Sequence, residues 1–220
     1  MRYPCGGYIV NNTIIHWARK KSEFDANLVE LSQYGVKPEL KIANGLNGRW
    51  NIVKNIIADT NTQSLLDVGG FGNYKTFVKK HECINITPHN GCQHYEGKKL
   101  PFENSTFGLV VIETVLHHAA ENTISVLSES VRVSNNYILI AEDVIDRRAS
   151  PDVFESYRLH DPSAIYRSSS EWMSLALLVG LKIWKIMYLH RVPLHITRQA
   201  RKNCRLGFAP MLYFIFKKNK

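Results

Sequence analysis

Short apolar runs alternate with amphipathic segments along most of this chain. Several runs are rich in Val, Ile and Leu and are bounded by turn residues, which is typical of buried β-strands. These runs are 64–67, 82–87, 109–112 and 137–141. Segments 47–59 and 123–131 instead repeat apolar residues at helical spacing. Strands that alternate with helices predict a parallel sheet covered by helices on both faces.

The rest of the chain predicts further elements around this sheet. We expect helices over 24–34 and 171–179, a helical turn over 74–80, a loop over 38–48, and a hairpin of strands 181–189 and 211–216. A length of 220 residues is typical of one domain, with or without an appendage. We therefore predict an N-terminal helical or irregular extension over 1–46 and a main domain over 47–220.

The positive charge is concentrated near the C-terminus. Residues 181–220 contain ten Lys or Arg and no Asp or Glu, whereas residues 1–180 carry 18 basic and 19 acidic side chains. Four of these cations follow an i, i+3, i+4, i+7 pattern and would share one helical face: Arg198, Arg201, Lys202 and Arg205. Such a face suits a phosphate-bearing partner such as RNA, and the alternative is a solvated basic surface.

The cysteines and the apolar stretches bear on location. The four cysteines are Cys5, Cys83, Cys92 and Cys204. They form no C-x-x-C motif, which favours reduced thiols in an intracellular, cytoplasmic protein. The N-terminus lacks the apolar run of a signal peptide. The most apolar stretch, 173–189, includes two lysines and a glycine, so we predict no transmembrane segment.

A glycine-rich turn follows the first predicted strand, in the sequence S-L-L-D-V-G-G-F-G-N from Ser64 to Asn73. Glycine has no Cβ, so backbone N–H groups at such a turn can approach a ligand closely. A dinucleotide site would require G-x-G-x-x-G, but Lys75 stands at the third glycine. Ligands of parallel sheets bind beyond the carboxyl ends of the strands. The polar residues at the predicted strand ends are Asp67, Asn85, Glu113 and Asp143.

The acid and glycines of this turn resemble motif I of the class I S-adenosylmethionine (SAM) methyltransferases, D-x-G-x-G-x-G. Asp67 and Gly69 match this motif, whereas Phe71 and Asn73 stand at its second and third glycines. Later segments resemble the small "type 11" group of the same family in order and spacing. They are N-I-T-P at 85–88, L-P-F-E-N-S-T-F-G-L-V-V at 100–111, T-V-L-H-H at 114–118 and E-S-V-R-V at 129–133.

This resemblance implies a fold and an activity. The fold is a Rossmann-like α/β three-layer sandwich, with a mostly parallel seven-stranded sheet and a C-terminal antiparallel strand. The activity is transfer of a methyl group from SAM to an unidentified acceptor, either a small molecule or RNA. The residues that the resemblance places at the cofactor are Asp67, Gly69, Gly70, Gly72, Asn85, Glu96, Glu113 and Thr114.

Two consecutive histidines follow the predicted strand 109–112, near the position where the methyl group would emerge. Either His117 or His118 could act as a general base if the acceptor must lose a proton. The alternative is that one histidine packs or caps a helix while the other is exposed. The sequence predicts no metal site.

Departures from the family pattern keep two other functions open. Asn85 replaces the acid that usually holds the ribose hydroxyls, and Phe71 and Asn73 replace glycines. These changes favour a catalytically inactive binding module that keeps the fold. The basic region 181–220 favours an RNA-directed methyltransferase or an RNA-binding protein.

Overall fold

The fold is organised around one mixed β-sheet. The computed structural model describes residues 8–10, 13–15, 34–35, 39–87, 91–144, 158–159, 161–192 and 211–219. The strands are β1 (Tyr8–Val10), β2 (Thr13–Ile15), β3 (Glu39–Asn44), β4 (Ser64–Val68), β5 (Lys80–Asn85), β6 (Gln93–His94), β7 (Phe107–Glu113), β8 (Ser134–Asp143), β9 (Leu181–Val192) and β10 (Met211–Lys218). The α-helices are α1 (Gly45–Asp59), α2 (Thr123–Val133) and α3 (Ser169–Leu178), and short 3₁₀ helices cover Leu116–His118 and Ala120–Asn122.

The strand order of the main sheet is β3-β9-β10-β8-β7-β4-β5-β6. Strands β5, β4, β7 and β8 run parallel to one another, whereas β10 pairs antiparallel with both β8 and β9. The predicted parallel sheet with a C-terminal antiparallel strand is therefore confirmed. The predicted hairpin of 181–189 and 211–216 is confirmed as the pair β9 and β10.

Helices cover both faces of the sheet, as the alternating sequence pattern predicts. On one face, α1 packs through Ile52, Val53, Ile56 and Ile57 against β4, β7 and β8. On the other face, α2 and α3 enclose a second apolar core. Helix α3 begins with a capping box, in which Ser168 and Glu171 satisfy each other's backbone N–H groups. The architecture is a three-layer α/β sandwich.

Two local predictions are wrong. Residues 39–44 form strand β3, which pairs parallel with β9 at the edge of the sheet, and not a loop. Residues 74–79 form turns, and not a helix. Because the connection between β4 and β5 spans only residues 69–79, the glycine turn leaves too little chain for a crossover helix. The side chain of Tyr74 is also buried, which holds this segment against the core.

Some predictions lie outside the described residues. These are the body of the helix over 24–34 and the basic quartet Arg198, Arg201, Lys202 and Arg205. The extension over 1–46 stays a prediction, apart from the strands β1, β2 and β3. Among the described residues, none of the helices has the length and apolar character needed to cross a bilayer.

Cys83 and Cys92 form a disulfide, so the prediction of reduced thiols is wrong for these two residues. The cause is the strand register: Ile84 pairs with Gln93 across β5 and β6, which places the two cysteines beside each other with Cα atoms 4.5 Å apart. Disulfides persist mainly in oxidising compartments. The bond therefore removes the cysteine-based argument for a cytoplasmic location, which stays a prediction.

We expect Cys92→Ser to lower the free energy of unfolding by roughly 2–3 kcal/mol, because the bond closes a short loop and restricts the unfolded chain. Urea unfolding with and without a thiol reductant measures this loss. The reductant should destabilise the wild-type protein to the same level and leave Cys92→Ser unchanged. Equal stability of the wild type in both conditions would show that the bond does not form.

Candidate functional site

A cavity of about 1010 Å³ opens at the carboxyl ends of β4, β5 and β7. This volume lies at the upper end of the range for small-molecule sites. The cavity brings together most of the residues that the sequence predicts at the cofactor: Asp67, Gly69, Gly70, Asn85, Glu96, Glu113 and Thr114. Gly72 does not line the cavity, and neither does His117, whereas His118 does. The strand-end residue Asp143 is buried outside the cavity lining.

The glycine turn is folded tightly over the side chain of Asp67. The Asp67 carboxylate is 1% exposed and accepts a hydrogen bond from the Gly72 N–H at 3.3 Å. A Cβ atom on Gly70 would lie 2.0 Å from both carboxylate oxygens, and one on Gly69 would lie 2.5 Å from Cγ2 of Val115. A side chain at either position would force Asp67 or Val115 to shift. Packing therefore favours glycine at both positions.

Burial raises the pKa of Asp67 to about 7. The hydrogen bond from the Gly72 N–H lowers this pKa, and the nearby charge of Glu113 raises it. The neutral form of the Asp67 carboxyl group is therefore populated near pH 7. A cation bound beside Asp67 would favour the ionised form and would displace its proton.

Asn85, at the end of β5, also holds the glycine turn in position through hydrogen bonds. Its Nδ2 donates to the carbonyl oxygens of Gly69 and Gly70, at 3.1 and 2.9 Å. Its Oδ1 accepts a hydrogen bond from the Thr87 N–H at 3.0 Å. An aspartate here would face two carbonyl oxygens without a proton to donate. The replacement of the family's acid by Asn85 therefore fits this turn.

Glu113 at the end of β7 is held by groups from three different elements. The hydroxyl of Tyr74 donates to Oε2, and the hydroxyl of Tyr213 donates to Oε1 at 3.0 Å. Nη1 of Arg49, in the first turns of α1, lies 3.7 Å from Oε1. Arg49 also lines the cavity, so the site includes a cation that the sequence analysis did not identify.

Thr114 has a strained backbone. Its φ angle is +54°, a value that β-branched residues rarely adopt. The conformation is held by the Thr114 N–H, which donates to Ala141 O at 2.8 Å. Strain of this kind is concentrated at functional sites, where the surrounding structure imposes it. Here it turns the chain sharply out of β7 and along the cavity wall.

Glu142 of β8 organises the loop that follows β7. It is fully buried, and its Oε1 accepts from the N–H groups of Val115 and Leu116 at 3.0 and 2.7 Å. Its Oε2 lies 2.6 Å from Nδ1 of His117. Burial lowers the pKa of His117, but the hydrogen bond and charge of Glu142 outweigh this effect, so the pKa is raised.

The two consecutive histidines have different environments. His117 is buried and paired with Glu142, whereas the side chain of His118 is exposed and lines the cavity. Nε2 of His118 lies 3.5 Å from Oδ2 of Asp161. This difference matches the expected alternative in which one histidine packs and the other is exposed.

The mouth of the cavity includes large apolar side chains. Phe71 and Ile86 are 61% and 59% exposed, although both line the cavity. Exposed apolar groups of this size at the mouth of a pocket suit the planar ring of a ligand.

The comparison with known structures gives the class of this fold. A candidate methyltransferase from Bacillus halodurans is similar with a TM-score of 0.60 and 15% identity, over 78% of this chain and 99% of the other. Another similar chain comes from a Haloferax volcanii complex between the Trm112 methyltransferase activator and a candidate methyltransferase. Its TM-score is 0.59 and its identity 14%, over 90% of this chain and 98% of the other. A SAM-dependent methyltransferase from Mesorhizobium loti is similar with a TM-score of 0.55 and 13% identity, over 79% of this chain and 100% of the other.

The chain therefore has the class I SAM-methyltransferase fold. No family model matches its sequence, and no curated protein does so either. The likeness is thus one of three-dimensional structure and of short motifs at strand ends, at sequence identities of 13–15%.

We expect Glu142→Gln to lower the free energy of unfolding by about 2 kcal/mol at pH 6, because it removes a charged hydrogen bond to His117. The raised pKa of His117 means that this stabilisation is present below pH 6.5 and is lost as pH rises through the folded-state value. Urea unfolding at pH 6 and pH 9 should therefore show a smaller cost at pH 9. Glu121→Gln, an exposed acid outside the cavity, is the control. An equal cost at both pH values would contradict the pairing.

We expect Gly70→Ala to cost about 1–3 kcal/mol of stability, because its Cβ overlaps the Asp67 carboxylate. In an Asp67→Ala background this overlap is absent. Gly70→Ala should therefore lower the stability of that variant by at least about 1 kcal/mol less than it lowers the stability of the wild type. Thermal unfolding of the two single variants and the double variant measures this coupling. Additive effects would contradict the packing described for the turn.

Proposed function

We propose that this protein is a SAM-dependent methyltransferase. One observation carries the proposal: a buried carboxylate, Asp67, lies under a glycine turn at the end of a central strand and lines a cavity of suitable size. SAM carries a positive charge at its sulfonium and at its ammonium group. A buried acid with a raised pKa is suited to such a ligand, because ionisation and binding favour each other.

The residues around the cavity fit the parts of SAM. Asp67 would bind the ammonium group, and the backbone of Gly69 and Gly70 would border the methionine chain. Arg49 is the cation that could bind the methionine carboxylate. Oδ1 of Asn85 and the carboxylate of Glu96 would accept hydrogen bonds from the ribose and adenine side. The apolar groups at the cavity mouth, Phe71 and Ile86, would cover the adenine ring.

Methyl transfer needs alignment of the acceptor and exclusion of water more than it needs a base. When bound, SAM would supply an electrophilic methyl group. Of the two predicted catalytic histidines, His118 lines the cavity and could contact an acceptor. His117 does not, so its role would be to position the loop through Glu142. The acceptor is either a small molecule or RNA.

One observation supports the non-catalytic alternative. The amide group of Asn85 donates to the glycine turn, and strand β5 does not end in the acid that the family usually has at this position. A module that keeps the fold without methyl transfer would tolerate this change. Failure of the folded protein to bind SAM would favour this alternative.

We expect the affinity for SAM to rise roughly tenfold between pH 5.5 and pH 7, because Asp67 with a pKa of about 7 must ionise on binding. The SAM amino group stays protonated throughout this range. Calorimetric titration in buffers of different ionisation enthalpy should show that most of one proton is released per SAM at pH 6.

Asp67→Asn keeps the shape of the side chain and is the decisive variant. Its affinity for SAM should be lower at pH 7 and nearly independent of pH, whereas Glu121→Gln should behave like the wild type. If the well-folded wild type binds no SAM, the methyltransferase proposal fails and the non-catalytic module is favoured. A pH-independent affinity in the wild type would exclude Asp67 as the partner of the ammonium group.

A further inference from the structure

A cluster of potential metal ligands lies beside the cavity. His117 and His118 belong to the 3₁₀ helix Leu116–His118, and Asp161 belongs to the segment before α3. One ligating atom from each of the three side chains can be chosen so that all lie within 4.8 Å of one another. The two segments are joined directly, since the Ile165 N–H donates to the His117 carbonyl at 2.7 Å.

We propose that His117, His118 and Asp161 bind a divalent transition-metal ion, with Zn²⁺ the ion that the ligands suit best. Two imidazoles and one carboxylate form a ligand set typical of open metal sites, in which the remaining position is left for water or substrate. This proposal replaces the sequence-based prediction that the protein has no metal site.

The orientation of His117 supports this assignment. Its Nδ1 lies 2.6 Å from Oε2 of the buried Glu142, which leaves Nε2 as the nitrogen that could bind an ion. At metal sites, a histidine ligand usually donates the N–H of its other ring nitrogen to a group such as a carboxylate, which orients the ring. The ring of Tyr166 stacks on His117, with centroids 5.7 Å apart and planes inclined by 16°. The buried histidine is thus held in one orientation.

The distances and charges are also suitable. Tetrahedral Zn²⁺ with ligands at about 2.0–2.2 Å needs ligating atoms roughly 3.3 Å apart. His118 and Asp161 are already 3.5 Å apart, and both are on the exposed side of the cluster, where they can move toward His117. The negative charges of Asp161 and of the buried Glu142 would balance the ion.

The position of the cluster suggests a role, and this step rests on the proposed function. His118 and Ser163 line the cavity, so an open position on the metal would face the acceptor. A metal-bound oxygen or nitrogen loses its proton more easily than a free one. The ion would therefore let a bound acceptor lose its proton to solvent water, in place of transfer to a histidine base.

The test measures metal binding without SAM. Metal-free full-length protein is titrated with ZnCl₂ by calorimetry and with CoCl₂ by visible absorption. We expect one ion per chain at this site, with a Co²⁺ spectrum typical of low coordination number. His118→Ala and Asp161→Asn should each weaken binding at least about tenfold, and Glu142→Gln should weaken it about 10–100-fold by releasing His117.

His94→Ala is the matched control, because His94 is an exposed cavity histidine outside the cluster. It should bind metal like the wild type, and circular dichroism should confirm that all variants are folded. The proposal is overturned if the wild type binds neither ion at micromolar concentration, or if His118→Ala and Asp161→Asn bind as tightly as His94→Ala. SAM titration of the metal-free protein tests the methyltransferase proposal separately, so either proposal can fail alone.

Discussion

The shape of the site follows from the need to satisfy three carboxylates at the ends of adjacent strands. Asp67, Glu113 and Glu142 end β4, β7 and β8, and each is largely removed from water. A buried charge is tolerated only where donors or cations surround it. The donors to Asp67 and Glu142 come from the loops that follow β4 and β7, whereas the partners of Glu113 come from a loop, from β10 and from α1. Each of these segments is fixed in position by the acid that it satisfies. This one constraint accounts for the glycine turn over Asp67, for the two tyrosines bonded to Glu113 and for the position of the loop after β7.

The three acids are not equally satisfied, and this difference separates the two acids that hold loops and side chains from the one that we propose binds a ligand. Glu142 accepts from two backbone N–H groups and pairs with a histidine, and Glu113 binds two tyrosines and an arginine. The donor that the structure gives to Asp67 is the Gly72 N–H, at the long distance of 3.3 Å. Its pKa of about 7 reflects this weak compensation. The acid that the protein satisfies least is therefore the one that a cationic ligand can satisfy best.

The sequence predicts the main sheet and the acid at the end of β4, because these depend on local apolar runs and a short motif. It does not predict contacts that depend on register or on distant segments. Cys83 meets Cys92 only through the register of the two-residue strand β6. Glu142 and Asp143 look alike in sequence, and only the fold shows that Glu142 reaches the β7 loop. Arg49 and Asp161 come from segments outside the motifs. Packing also favours the glycine within the segment 100–111, since a Cβ on Gly108 would lie 2.7 Å from Oγ1 of Thr62.

The missing helix after the glycine turn also bears on the choice of ligand. In a dinucleotide site, the N-terminus of that helix supplies N–H groups and positive potential to an anionic pyrophosphate. Here residues 74–79 form turns and a bend, so this source of positive potential is absent, and the side chain bonded to the glycine turn is the acid Asp67. A sulfonium or ammonium ligand needs no helix N-terminus and would be opposed by its positive potential. The shortened connection between β4 and β5 therefore disfavours a dinucleotide and is compatible with a cationic cofactor such as SAM.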